Sequence, residues 1–569
     1  MAEIEEYQLK SDKEINSSAN IKQLLEKCTY GPYQRRVYIC VFITQILSVV
    51  LGMNLTFITS NVPFLCYPPN YNISAIPANF TENEYLQMFH PEDDHCSVYN
   101  NTFTEIYYKV SSNNLSKVQC SYGRKFLTEK FSSIISEFDL VCEKKWLRST
   151  LQSVYFVGYL FGSIVFGVIS DRFGRKRSFF LANLFLVVCG LGKIFVPSLT
   201  ILMILLCFQG YGYIGQLISI YTLSLELATS GVRTPFNFCF MCTYSFGAML
   251  VPGLAYAITD WHYLDLTSGL LSIFVFFFWT SIPESPRWLI GRKRFAEAQA
   301  QLLEIMKTNK IQNQEVFNIF TNDKNSSSLI NVQEEGKSDK RVPPTKKNYS
   351  FIDLFKTFQV ATITINICCS WCVISMLYYG VTLNSVDMAG NRYVNFVLMM
   401  VVEIPSYFLS HCLFTRFDHR KPIVFFMIFS GLNCIVSNFA TEGSFWFPLI
   451  LVVLGKLGIS AAYGSIYLLS AEIFPTVVRV NGIGIASVSS RIGGIAAPFI
   501  LQLSSYVKWL PLSIYGVLSV AAGLLLLLLP ETKDRDLPQT FEDLKNWKTQ
   551  KCINKKPSND GKKLEELSF

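Results

Sequence analysis

The chain has 569 residues; half are apolar, 46 are Phe, and only 16% are charged, where soluble domains average about a quarter. A soluble fold of this size has nowhere to hide so much apolar surface. The net charge of +8 lies in short clusters between apolar runs, which excludes a nucleic-acid groove and follows the positive-inside pattern.

Residues 1–35 are polar and hold no short apolar stretch with a cleavage site, so the first apolar run is expected to act as an uncleaved signal anchor. A bilayer core about 30 Å thick needs roughly twenty apolar residues per helix. Such runs are predicted near 36–58, 149–169, 178–196, 199–224, 236–257 and 264–282, then near 358–380, 393–414, 422–440, 445–468, 481–502 and 510–529. The expected fold class is therefore all-α and membrane-embedded, with twelve transmembrane helices. Internal prolines such as Pro252, Pro405 and Pro498 are tolerated in such helices.

The polar segment 59–147 carries Cys66, Cys96, Cys120 and Cys142, with N-x-S/T sites beginning at Asn72, Asn79, Asn100 and Asn114. This combination predicts a glycosylated, disulfide-bonded extracellular loop whose connectivity stays open. Cysteines inside the apolar runs, such as Cys189, Cys207, Cys368 and Cys369, read as small core residues. DRFGRKR (171–177), RFDHRK (416–421) and the cluster Arg287, Arg292, Lys293 and Arg294 all fall on the opposite side, which places both termini in the cytosol. The organisation read from this is a cytosolic segment 1–35, a bundle 36–282, a cytosolic loop 283–357, a second bundle 358–530 and a tail 531–569. The loop starts as an amphipathic helix and continues as a linker rich in Lys, Glu, Asn and Ser.

The two halves repeat one another. Arg175-Lys176 answers Arg420-Lys421, the pair Glu226 and Arg233 answers Glu472 and Arg479, and Pro283-Glu284 answers Pro530-Glu531, all 245 to 247 positions apart. A recurring offset predicts two six-helix bundles related by a pseudo-two-fold, with a solute site between them near the midplane.

At this point the residues resemble the major facilitator superfamily. DRFGRKR is similar to the motif after its second helix, PESPRWL (283–289) to that after its sixth, and PETK (530–533) to that after its twelfth. The long cysteine- and sequon-bearing loop, SAEIFPTVVR (470–479) and LPQTFEDL (537–544) resemble the solute carrier 22 family of organic ion transporters, from GPYQRRVY (31–38) to about residue 545. LYYG (377–380), VEIPSY (402–407) and GKLGISAAYG (455–464) resemble its carnitine/zwitterion and invertebrate organic-cation branches. The resemblance implies a small organic ion as substrate carried by alternating access; the glycosylated loop points to the plasma membrane, and with no ATP-binding loop the expected drive is the solute's own gradient, an exchanged solute or a co-transported ion.

Candidate residues follow. Asp171, Arg172, Arg175, Lys176, Glu226 and Arg233, with Arg420, Glu472 and Arg479 in the second half, form charge-assisted bonds that hold helix ends in one state and release them in another; the alternative is topogenic charge alone. Glu403, Lys456 and Arg491 lie within spans, where ionisable residues are costly and default to function; the alternative is pairing between helices, as of Glu403 with Lys456. Arg491 stands where the resembled cation transporters carry an acid and their zwitterion and anion relatives carry Arg, and its guanidinium offers a bidentate partner for a carboxylate. Tyr221, Trp371, Tyr378, Tyr463 and Tyr467 offer aromatic faces for an ammonium, and Trp371 and Tyr378, seven apart, share one helix face; lipid-facing aromatics are the competing interpretation. The resemblance places the matching Trp and Tyr in the substrate cavity.

No G-x4-G-K-[ST] loop is present, and no H-E-x-x-H or C-x2-C pair points to a metal enzyme, so neither cofactor nor catalysis is expected. The expected cargo is a carnitine-like or ergothioneine-like amine; an organic anion, or a sugar on the same fold, is the alternative. A channel or receptor and a membrane enzyme are the other classes.

Overall fold

The computed structural model describes residues 30–69, 71–73, 76–91, 94, 96–101, 103–107, 116–128, 131–228, 230–310, 351–439, 446–533, 538–539 and 543. Asn114, most of segment 1–35, the middle of the loop 283–357 and most of the tail lie outside the described residues.

Among the described residues eleven helices are long and apolar enough to cross a membrane. They are α1 (Pro32–Ile58), α2 (Cys142–Phe173), α3 (Arg175–Phe195), α4 (Leu199–Leu227), α5 (Pro235–Ala257), α6 (Trp261–Trp279), α7 (Phe358–Asn384), α8 (Arg392–Phe414), α9 (Arg420–Phe439), α10 (Trp446–Ile473) and α11 (Arg479–Ser505). A shorter apolar helix, α12 (Leu510–Leu526), completes the set. Most spans begin earlier than hydropathy alone places them, because Arg and Lys at their ends still continue the helical backbone.

Two interruptions matter for the site. Pro405 cannot donate to the carbonyl of Val401, so α8 breaks at Val402 and restarts at Glu403. In α1 the break falls at Asn54, whose side chain donates to Asp265 at 2.7 Å.

Packing follows the internal repeat. In the first half α2 and α3 pack on α4, α1 on α5, and α3 on α6; in the second half α8 and α9 pack on α10, α7 on α11, and α9 on α12. The bundles meet through α2 on α11 and α5 on α8, contacts that the same six-helix shift exchanges. Close approach uses glycine. A Cβ at Gly158 would strike the carbonyl of Cys207, and one at Gly493 the carbonyl of Cys372.

The segment between α1 and α2 folds as a small cap. Strand β1 (Phe64–Cys66) pairs antiparallel with β4 (Arg124–Phe126), and β2 (Ser97–Tyr99) with β3 (Lys117–Gln119). Disulfides Cys66–Cys120 and Cys96–Cys142 give the connectivity. Their closed loops span 54 and 46 residues, a chain-entropy contribution of about 4 kcal/mol each. The cap rests on α6: the Trp261 indole donates to Glu137 at 2.7 Å, and the backbone N–H of Ser132 donates to Thr259 at 2.9 Å. Asn72, Asn79 and Asn100 are exposed on it.

Candidate functional site: a buried charge cluster where the bundles meet

Lys456 and Glu403 form an ion pair of 2.8 Å between α10 and α8, and neither side chain has any exposed surface. The Lys456 ammonium also donates to Thr382 Oγ1 of α7 at 2.8 Å and sits 3.3 Å from the Tyr378 ring centroid. Glu403 accepts from Ser245 of α5 at 2.7 Å and from Tyr407, one turn on, at 3.5 Å. Two opposite charges in apolar surroundings must meet or be neutralised, and here they meet. Both charges belong to the second bundle, and among the described residues the hydrogen bond that reaches them from the first is that of the Ser245 hydroxyl.

Arg491 is placed differently. It is 6% exposed on α11, with its guanidinium 5.8 Å from the Tyr159 ring centroid of α2. The side chains that interact with it electrostatically are Tyr463, Tyr379, Tyr467 and Tyr159. Among the described residues it forms no ion pair, and its Nε has no hydrogen-bond partner. The cluster therefore carries one uncompensated positive charge.

Aromatic rings line this centre. Trp371 meets Tyr467 edge-on at 4.3 Å and donates from its indole to Ser470 at 2.9 Å. Tyr378 stacks on Tyr463 at 5.0 Å, and Phe156 of the first bundle lies 4.6 Å from Tyr379. Trp371 and Tyr378 both turn toward α10, as their spacing predicts. Tyr467 is 38% exposed beside Trp371, Tyr463 and Arg491. Tyr221 bonds to Asn237 at 2.8 Å within the first bundle and faces Tyr467 electrostatically. The eight candidates thus gather around one seam, joined by Tyr159, Tyr379, Ser245, Thr382 and Tyr407, which sequence reading missed. Tyr407 alone had a signal there: it stands four residues after an intramembrane acid.

The links between the bundles are one-sided. On the disulfide-bearing face Arg148 donates to Asp387 at 2.6 Å, Asn61 donates to the same carboxylate at 3.0 Å, and Arg392 donates to Ser60 at 3.2 Å. Phe57 stacks on Tyr393, Tyr256 meets the same ring edge-on, and Ser153 donates to the Ile495 carbonyl at 2.8 Å. Below Glu403 and Arg491, toward the basic loops, no ion pair, hydrogen bond or ring contact joins the bundles among the described residues. Such contacts between the bundles are therefore confined to the disulfide-bearing face and the cluster itself.

The network on that face is smaller than its sequence implies. Arg175 bonds to Glu226 at 3.1 Å and to Asp171 at 2.7 Å. Glu284 accepts the backbone N–H groups of Arg175 and Lys176 at 2.8 and 3.2 Å, capping α3, and Glu531 caps α9 in the same way through His419 and Arg420. These two glutamates and His419, which donates to or accepts from Glu472 at 2.8 Å, are network members that the sequence reading left out. Arg420 lies 3.7 Å from Glu531 rather than bonding Glu472. Four candidates do not join these carboxylates: Arg172 stacks on Phe173, Lys176 lies over Trp279, Arg233 is exposed, and Arg479 donates to the Phe474 carbonyl. Arg172 and Arg233 face solvent, where water competes with any partner, whereas Lys176 and Arg479 are half-buried. In the adjoining loop, the hydrogen bond from Lys421 holds the Asp418 carboxyl below its usual range.

Lys193 and Asp265, both fully buried, pair at 3.0 Å inside the first bundle beside Asn54. Cys239/Cys242 and Cys369/Cys372 are C-x2-C spacings that fall within α5 and α7. No group of three or more metal-ligating side chains occurs among the described residues.

Comparison with known proteins agrees with this architecture. The family described as "Sugar (and other) transporter" matches residues 70–544. The "Organic cation transporter protein" of Drosophila melanogaster is 32% identical over 91% of this chain and 93% of its own length. "Solute carrier family 22 member 4" of Mus musculus is 30% identical over 92% and 94%, and "Organic cation/carnitine transporter 2" of Homo sapiens 29% identical over 90% and 92%. Among solved structures, the xylose transporter of E. coli in an inward-open conformation superposes with a TM-score of 0.57 at 15% identity, over 90% of this chain and 99% of that one. With its twelve apolar helices in two repeating bundles, the chain belongs to the solute carrier 22 family of organic ion transporters, on the major facilitator fold.

Proposed function

We propose that the protein carries a small organic cation or zwitterion, such as a carnitine-like or ergothioneine-like amine, across the plasma membrane by alternating access. In this reading the disulfide-bearing face is outside and the basic-loop face, with both termini, is cytosolic, and the one-sided contacts between the bundles support an inward-facing state. The observation that carries the reading is Arg491: a guanidinium at the seam, without a carboxylate partner among the described residues and beside tyrosine and tryptophan faces. It supplies a bidentate partner for a substrate carboxylate, while the rings attract an ammonium by about 0.5–2 kcal/mol. Lys456, neutralised by Glu403, positions α7, α8 and α10 around the site. The names of the relatives support an organic cation or carnitine as cargo. The uncompensated charge also keeps an organic anion in play. A sugar has no use for a lone guanidinium, and no energising site is invoked beyond solute or ion gradients.

The test is an uptake screen in cells expressing the chain, comparing carnitine, ergothioneine, a quaternary cation and an organic anion, with and without sodium. Arg491→Asp is expected to lose carboxylate-bearing substrates by at least about tenfold while sparing the quaternary cation. Zwitterion uptake by Arg491→Asp at the wild-type rate refutes the assignment.

A further inference from the structure

Beneath the disulfide-bonded cap lies a cavity of about 1620 Å³, separate from the central cluster. The cap, the start of α2 and the α7–α8 connection enclose it. Its walls are mainly apolar and aromatic, with Phe64, Met88, Tyr99 and Ile106 among them. Among the described residues the charged side chains lining it are Lys145, Arg392 and Asp387, beside His90. Asp387 is already committed, to Arg148 at 2.6 Å and Asn61 at 3.0 Å. The partners of Arg392 are neutral: the Ser60 hydroxyl, the Asn61 carbonyl and the Phe131 ring. Lys145, half-buried, forms no ion pair among the described residues, its electrostatic neighbours being Arg148 and the same Asp387. Two cations with neutral or shared partners therefore border an apolar chamber.

We infer that this chamber is a second, external binding site for an amphipathic organic anion, whose acid head meets Lys145 and Arg392 and whose apolar tail lies along the cap. Lys145 belongs to the first bundle and Arg392 to the second, and the floor is the closed outer contact between them. The two cations converge only while that contact holds. A ligand that needs both binds the outer-closed state and shifts the population toward it. The site is thus inhibitory from outside and does not depend on which solute the central cluster carries.

The test uses octanoate as the probe and octyltrimethylammonium as its matched cation, titrated calorimetrically into the full-length protein in lipid nanodiscs. Octanoate is expected to bind the wild type, with Lys145→Gln weakening it about tenfold or more and Lys145→Arg restoring it. Arg491→Gln, which alters only the central cluster, is expected to leave octanoate affinity unchanged, and octyltrimethylammonium is expected to bind at least about tenfold more weakly than octanoate. The inference is overturned by absence of octanoate binding to the wild type, by undiminished binding to Lys145→Gln, by equal binding of the cation, or by loss of binding in Arg491→Gln, which would place the anion in the central site.

Discussion

Removing the Lys456 ammonium strands a carboxylate. In Lys456→Met, Glu403 keeps its bonds from Ser245 and Tyr407 but stays fully out of water without a counter-charge. Breaking one side of a buried pair costs about 3–5 kcal/mol. Glu403→Gln strands the ammonium instead, yet Lys456 retains the Thr382 hydroxyl at 2.8 Å and the Tyr378 ring at 3.3 Å. A desolvated cation–π contact offsets about 2 kcal/mol, so the expected loss is smaller, about 1–3 kcal/mol. Independent effects would sum to roughly 4–8 kcal/mol in the double variant. If the two charges exist for one another, Lys456→Met/Glu403→Gln is instead no less stable than Lys456→Met alone. The measurement is equilibrium unfolding of the purified protein in nanodiscs, arranged as a double-mutant cycle. Additivity within about 0.5 kcal/mol would refute the coupling.

Other consequences are equally open to measurement. Asp387→Asn removes the charge that Arg148 grips at 2.6 Å, and is expected to favour the outward-open state about tenfold, a shift of about 1.4 kcal/mol. In a background lacking reactive cysteines, Ser153→Cys at the closed seam should then react faster with an impermeant maleimide added outside; an unchanged rate argues against the outer latch. Gly174→Ala forces a Cβ at φ +108° into the Glu284 carboxylate, and is expected to destabilise the protein by more than about 1 kcal/mol with loss of surface expression; wild-type expression counts against the α3 cap. The Glu82 carboxyl is held below its ordinary value first by the hydrogen bond from Lys125, then by that from Tyr71. A depressed carboxylate adds stability above its unfolded pKa and loses it as pH falls through its folded one. The cap should therefore hold its near-ultraviolet dichroism from neutral pH to below 4.5, and Lys125→Met should raise the acid midpoint; an unmoved midpoint excludes the bond as the cause.

The helices were legible because each must present about twenty apolar residues, and the bundle repeat because its charged marks recur at one offset. The Glu403–Lys456 pair was half legible, since isolated opposite charges in apolar runs have few other resolutions. Lys193 and Asp265 escaped notice because they lie near span ends, where charge is ordinary; only the fold shows both to be fully buried. The basic-face network was overread for a related reason. Spacing places Arg233 and Arg479 at equivalent positions, but whether a side chain turns inward depends on packing that spacing does not encode. The helix-capping role of Glu284 and Glu531 needs the three-dimensional return of the chain to α3 and α9. The disulfide pairing likewise depends on the strand register of the cap.

That Lys456 and Glu403 ride on the same bundle bears on the speed of the carrier. Opposite charges divided between the two moving bodies would have to be pulled apart through hydrocarbon once per cycle, a barrier of several kcal/mol. At this pair the bodies separate by releasing the Ser245 hydroxyl from Glu403, a bond that substrate or incoming water can replace for about 1–3 kcal/mol. The dipole travels intact, and the turnover rate is left to the solute and the outer latch.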